Sequence, residues 1–303
     1  MLDKILRDLI HGEFSVGKNK VAFLDVLLTV CITATAALIH EAIFGISGNP
    51  GISGGMHMVI YCVLDFVLAL LVGVFVWMTT ANRLKTIIAY SLAVIWPAFI
   101  GNSALNGGVE VVFAVVLVAM LCVLTCKKLI GMKGFWIFTL AASALQILQG
   151  DAPAERLTYY WPNIYTLFSE TGYYNEYGVT GKFLVLGILL IIFYYISKKK
   201  VDVTPKLFVA SGLFVSLFVS AFYPFMNYRS GFLANVFALL LFIQNKHKFY
   251  VPMAMCIISY VSYGYLYNGE IGVFFWIYAL GLVVLMLDAG VYLYKQLQTG
   301  NEA

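Results

Sequence analysis

Apolar runs of about 17–25 residues, each long enough to cross ~30 Å of hydrocarbon, recur along almost the whole chain. Nothing else in the sequence restricts the fold so tightly. Ten such stretches stand out, at 21–44, 57–79, 86–104, 108–126, 134–149, 180–197, 206–224, 231–245, 249–267 and 271–294. The stretches at 134–149 and 231–245 are short for the distance. Of the 303 residues, 62% are hydrophobic and 11% charged, whereas a soluble domain carries about 25% charged residues. The excess apolar surface calls for lipid as its solvent. An all-α integral membrane fold of about ten transmembrane helices is therefore expected, with no separate soluble domain. Residues 1–20 form an N-terminal segment, 21–295 one polytopic domain and 296–303 a tail.

The first ten residues, MLDKILRDLI, place Leu2, Ile5, Leu6, Leu9 and Ile10 on one helical face, with Asp3, Lys4, Arg7 and Asp8 largely opposite. That pattern reads as an amphipathic helix on the membrane surface; a solvated helix is the plain alternative. No small-residue cleavage site follows, so a cleaved signal peptide is not expected. All five cysteines fall within the apolar stretches. Cys122 and Cys126 lie one helical turn apart, but a zinc site usually needs four ligands. They read as packed thiols, and neither a bound metal nor a cofactor is expected.

Alternating ten spans assigns every loop to a side. Sixteen of the nineteen Lys and Arg then share one side, among them Lys18, Lys20, Arg83, Lys85, Lys127, Lys128, Lys198, Lys206, Lys246, Lys248 and Lys295. Only Arg156, Lys182 and Arg229 fall on the other. Cationic loops stay in the cytoplasm, which puts both termini there. The opposite face carries His40, Glu41, Asn49, Glu110, Asp151, Glu155, Glu170 and Glu176, and one long loop at 150–181 that is rich in Tyr and Trp. Long loops are usually functional or disordered, and aromatic density argues against disorder. The loop reads either as a lid or groove wall or as an interfacial aromatic belt. In "YPFMNYRSGF" (223–232), Arg229 is the lone cation where two apolar stretches turn over. Its guanidinium suits bidentate binding of phosphate; snorkelling to headgroups is the alternative. Asp65 lies about 12 Å along a helix from His57. An acid at such depth normally faces a cavity or a partner.

An ordered series of segments over roughly 57–295 resembles the GT-C glycosyltransferases, in particular bacterial proteins similar to the GPI mannosyltransferases. "VIYCVLDFVLALLVGVFVW" (59–77) is similar to a family helix with an acid in its first half, here Asp65. "IWPAFIGNSALNGGVEVVFAV" (95–115) looks like the proline, "NSA" and "WGQxD" segment, with Glu110 at the acid. "AASALQILQGDAP" (141–153) resembles a "KxQ" stretch and keeps Gln146, with Ala144 in place of its lysine. "YWPNIYTLF" (160–168) is close to "YPNIY", and "YPFMNYRSGF" stands where the family has "MHERY", keeping Met226 and Arg229. The family's first outer loop is long and carries an acid; here "GISGNPGISGGMHM" (45–58) is short and puts Asn49 there, and an amide cannot act as a base.

The resemblance implies a GT-C-like fold in a bacterial cytoplasmic (inner) membrane. Its ligand would be a polyprenyl-phosphate-linked sugar on the outer face, and its partners membrane lipids and envelope-assembly proteins. Inverting transfer needs a base near the acceptor hydroxyl and stabilisation of the departing phosphate. Glu110, Glu41 and His40 are the candidates for the first role and Arg229 for the second, with Asn227, Asn163, Trp161, Gln146 and Asn49 as further binding candidates and Asp65 as a structural intramembrane acid. The alternatives are a non-catalytic relative that binds or scaffolds the lipid-linked saccharide and, more weakly, a small-solute transporter. The glycine-rich 45–55 stretch lacks a GK[ST] ending and is no phosphate loop. The basic loops follow from topology and do not point to nucleic acid.

Overall fold

The computed structural model describes residues 13–16, 19–47, 55–105, 108–126, 130–150, 157–167, 174–199, 201–268 and 275–299. A short antiparallel hairpin, β1 (Glu13–Val16) and β2 (Asn19–Ala22), leads into α1 (Phe23–Ser47) and α2 (Gly55–Thr80). The amphipathic helix expected at Leu2–Ile10 lies outside the described residues; the hairpin follows it. There follow α3 (Arg83–Val94), α4 (Pro97–Ile100) with a π-helical turn at Gly101–Leu105, α5 (Glu110–Leu124), α6 (Met132–Ile147), β3 (Thr158–Tyr159) and a 3₁₀ turn at Ile164–Leu167. The rest comprises α7 (Tyr174–Ser197), α8 (Pro205–Phe222), β4 (Met226–Asn227), α9 (Phe232–Gln244), a 3₁₀ turn at Lys246–Lys248, α10 (Tyr250–Asn268) and α11 (Phe275–Thr299).

Helix thus occupies each of the ten apolar stretches, with α3, α4 and the π turn making one. By length and composition, six helices are able to cross a membrane: 24–43, 59–80, 83–104, 176–197, 205–222 and 275–298. Three shorter apolar helices, α5, α6 and α9, accompany them. The chain is an α-helical, multi-pass membrane protein.

Burial sorts the helices. Leu207–Ala221 of α8 and Phe232–Leu241 of α9 are buried on every side, as in a helix surrounded by other helices. In α1 only 11% of the apolar window is buried, against 83% in α8. Leu28, Val30, Leu38, Phe183, Leu190 and Ile191 on α1 and α7 face outward. The α8–α9 hairpin is therefore the axis of the bundle. Helices α6 and α11 pack on α8, α10 and α5 pack on α9, and α2 links α3 to α5. At 13 residues α9 spans only about 20 Å. Protein surrounds it, so its length need not match the hydrocarbon.

The ends carry local signals. Asn82 caps α3 by accepting from the Lys85 N–H at 2.9 Å. Thr204 caps α8 by accepting from Leu207 N–H at 3.2 Å, with Pro205 in the first turn. Lys248 Nζ donates to both oxygens of Asp288 at 2.6 and 2.8 Å, tying the α9–α10 connection to α11. Burial works to lower the Lys248 ammonium, but Asp288 and Tyr250 outweigh it and hold it above its ordinary value.

The axis needs a glycine. A Cβ on Gly212 of α8 would sit 2.7–2.9 Å from ring atoms of Phe237 on α9, which is itself fully buried. Gly212→Val is expected to cost about 1–3 kcal/mol through overpacking, read as a lower thermal midpoint in detergent. A midpoint equal to the wild type would show that the hairpin has slack.

Candidate functional site

Reversing the chain between two buried helices exposes backbone donors and acceptors where little water reaches them. The Tyr223–Gly231 turn answers this largely with neighbouring protein. Asn227 Oδ1 accepts from Arg229 N–H at 2.9 Å, and Ser230 Oγ accepts from Asn227 N–H at 3.0 Å. Strand β4 pairs in parallel with β3, Thr158 opposite Met226 and Tyr159 opposite Asn227, so the aromatic loop is pinned to the turn. Phe225 holds a left-handed backbone at φ 66° and donates to the Leu157 carbonyl at 2.6 Å. From α6, Gln146 Nε2 donates to the Ser230 carbonyl at 2.8 Å. Trp161 is fully buried and its Nε1 donates to Ser220 O at 2.9 Å. Asn163 Oδ1 accepts from Tyr165 N–H at 3.1 Å. The Tyr165 hydroxyl donates to Phe222 O at 3.1 Å, and burial pushes it up to about 12.

Arg229 is thus delivered by a rigid turn. Its Nη1 lies 4.0 Å from Glu110 Oε1, with side-chain exposures of 26% and 4%. The guanidinium carbon sits 5.1 Å from the Tyr228 ring centroid. Tyr228 meets Tyr263 edge-on at 6.2 Å and approaches Tyr159 at 6.4 Å, and Tyr159 packs on Tyr160 at 4.3 Å. Burial works to lower the Arg229 guanidinium; Glu110 first, then Tyr228 and Tyr263, outweigh it and hold it above its ordinary value. Glu110 opens α5, and Gly108 is there because a Cβ would strike both the Glu110 carboxylate and the Asn102 amide.

Asn102 belongs to the π-helical turn, and its neighbour Ser103 points to a second cluster. Ser103 Oγ donates to Asp65 Oδ2, while His40 Nε2 lies 3.2 Å from the same oxygen and His40 Nδ1 lies 2.8 Å from the Ala36 carbonyl. A carbonyl only accepts, so Nδ1 carries a proton. The Nε2–Oδ2 contact then needs a second proton between the two groups, either as imidazolium with carboxylate or as imidazole with carboxylic acid. His40 and Asp65 form one buried unit, 4% and 1% exposed. Among the described residues, Asp65 Oδ1 has no hydrogen-bond partner.

The predicted residues divide accordingly. Glu110 and Arg229 come together. Gln146, Asn163, Trp161 and Asn227 bond to the backbone of the turn and of the end of α8: Trp161 is a core residue, and the partly exposed rings run from Tyr228, over which Arg229 sits, to Tyr159 and then Tyr160. His40 turns inward to Asp65, while Glu41 next to it is exposed. Asn49 lies outside the described residues. The long loop is shorter than expected, since α7 begins at Tyr174, and Lys182 on that helix lies 4.6 Å over the Phe225 ring. Sequence reasoning missed Asn102, Ser103 and Tyr263. The "NSA" segment was a signal for the first two, but nothing marked the π turn that sends adjacent side chains to two clusters. Among the described residues, no three His, Cys, Asp or Glu side chains gather where they could hold a metal.

No protein-family model, curated protein or solved structure matches this chain.

Removing one partner of a fully buried ion pair typically costs about 3–5 kcal/mol, because the other charge is stranded; the 26% exposure of the Arg229 side chain places this pair at the lower end or below it. Arg229→Met is expected to destabilise on that scale. Adding Glu110→Gln should recover at least about 1 kcal/mol. Strict additivity in detergent unfolding would mean that the two groups are not coupled.

Proposed function

We propose that this chain handles a polyprenyl-phosphate-linked sugar at the bundle end opposite the lysine-rich loops, acting as a GT-C-type glycosyltransferase of a bacterial cytoplasmic membrane. One observation carries the reading: a turn-fixed guanidinium beside an enclosed carboxylate, edged by partly exposed tyrosine rings, at the end of the bundle axis. In this reading all ten helices are spans and both termini are cytoplasmic, supported by the sixteen-to-three division of cations.

The proposed chemistry is an inverting displacement. Glu110 takes the proton of an acceptor hydroxyl, and the oxygen attacks the anomeric carbon. The bond to the phosphate oxygen breaks, its electron pair leaves with the lipid phosphate, and Arg229 neutralises the added charge. The tyrosine row would pack on the sugar or the first isoprene units. Glu110 keeps Arg229 cationic and aimed, so the pair serves both binding and transfer.

A second reading, a non-catalytic binder of the same lipid-linked saccharide, is favoured by the near-complete burial of Glu110 against Arg229, which restricts access of an acceptor. Protein in nanodiscs is expected to bind polyprenyl phosphate, and Arg229→Ala to weaken binding by about tenfold or more. A stable variant with unchanged binding would remove the phosphate role. Glu110→Gln is expected to abolish sugar transfer while binding persists. Transfer surviving in that variant would exclude Glu110 as base, and a wild type that binds without transferring would select the second reading.

A further inference from the structure

About 27 Å away along α8, the lysine-rich end of the bundle holds a cavity of about 570 Å³. Its walls come from the end of α2, the start of α3, the connection into α8 and the ends of α9 and α11. Lys85 and Lys206 both border it, and among the described residues neither is ion-paired. Two lysines that border one concave space raise its positive potential, and such a concavity concentrates anions. Asp202 also borders the cavity and is likewise without an ion pair. It reduces the local charge, which suits a single phosphate ester better than a polyanion.

The remaining polar groups are specific about hydrogen-bond direction. Thr79 and Thr80 spend their hydroxyl protons on the Phe75 and Val76 carbonyls at 2.9 and 2.7 Å, so toward the cavity they offer only lone pairs. Asp202 also only accepts; Gln244 borders the cavity as well, but its Oε1 is shielded from solvent and, among the described residues, has no hydrogen-bond partner. Thr204 is the reverse: its oxygen caps α8, leaving its O–H to donate. The inventory is cations and one donor for a phosphate, and several acceptors for hydroxyl groups.

We propose that this cavity binds a phosphorylated polyol, with Lys85, Lys206 and Thr204 on the phosphate and Asp202 and Thr79 accepting from the hydroxyls. The same chemistry is offered by a phosphatidylglycerol headgroup of the adjacent leaflet and by a free polyol phosphate. The site is separate from the Arg229 turn and stands whether or not that turn binds lipid phosphate.

The full-length protein is titrated in two arms: glycerol 3-phosphate against protein in neutral detergent, and phosphatidylglycerol in phosphatidylcholine nanodiscs by native mass spectrometry. Saturable binding is expected in at least one arm, and the arm identifies the source. Lys85→Gln with Lys206→Gln should weaken it by on the order of tenfold. Asp202→Asn should weaken the polyol phosphate while leaving competition by inorganic phosphate intact, and Arg229→Lys should leave cavity binding unchanged. The Lys85, Lys206 and Asp202 variants change exposed side chains, and an unaltered thermal midpoint without ligand confirms that each is folded; Arg229→Lys keeps the positive charge beside Glu110. Absence of saturable binding in both arms overturns the proposal. So does unchanged affinity in the lysine double variant, or in Asp202→Asn.

Discussion

The structure depends on one constraint: a chain that reverses between two helices enclosed by protein must find partners for its peptide groups with little help from water. The Tyr223–Gly231 turn meets it with Asn227 and Ser230 from within, β3 and Leu157 from the aromatic loop, and Gln146 from α6. Because those partners come from separate parts of the sequence, the turn has almost no freedom. Arg229 inherits that rigidity, and with it a fixed relation to Glu110. Preorganised charge of this kind is what transition-state stabilisation requires, and equally what selective binding of a phosphate requires.

The polar interior is organised by short helical irregularities. Pro97 ends the regular run of α3, and the π turn that follows offers two successive side chains to two places. Asn102 approaches Glu110 and Gly108; Ser103 reaches Asp65 and, through it, His40. π-helical turns commonly occur at functional sites. Here the turn joins an ion pair that is partly open to solvent with a proton-holding pair that is closed. Polar contacts elsewhere serve cohesion: Asn235 donates to Ser259 at 2.8 Å, linking α9 to α10, as buried amides and hydroxyls do between helices in lipid.

The two ends of the bundle differ in charge and in construction. The lysine-rich end combines short capped connections, the Asp288–Lys248 clamp and an open polar cavity. The other end has the aromatic loop folded down upon the central turn. Opposite ends with different chemistry are expected of a protein that sees a different solution on each side of a membrane.

The helical stretches were legible in the sequence because the length of an apolar run and the distribution of Lys and Arg are one-dimensional properties, set by lipid thickness and by the cost of moving charge. That Arg229 is the one cation of its connection and that Asp65 stands within an apolar run were legible for the same reason. Their partners were not. Whether Trp161 lines a groove or fills a core, whether His40 looks outward with Glu41 or inward to Asp65, and whether Glu110 meets a residue more than a hundred positions later depend on how helices rotate about their axes. That rotation is decided by packing among all the helices at once, through close approaches such as Gly212 on Phe237 and breaks such as the π turn, and no local pattern of residues encodes it.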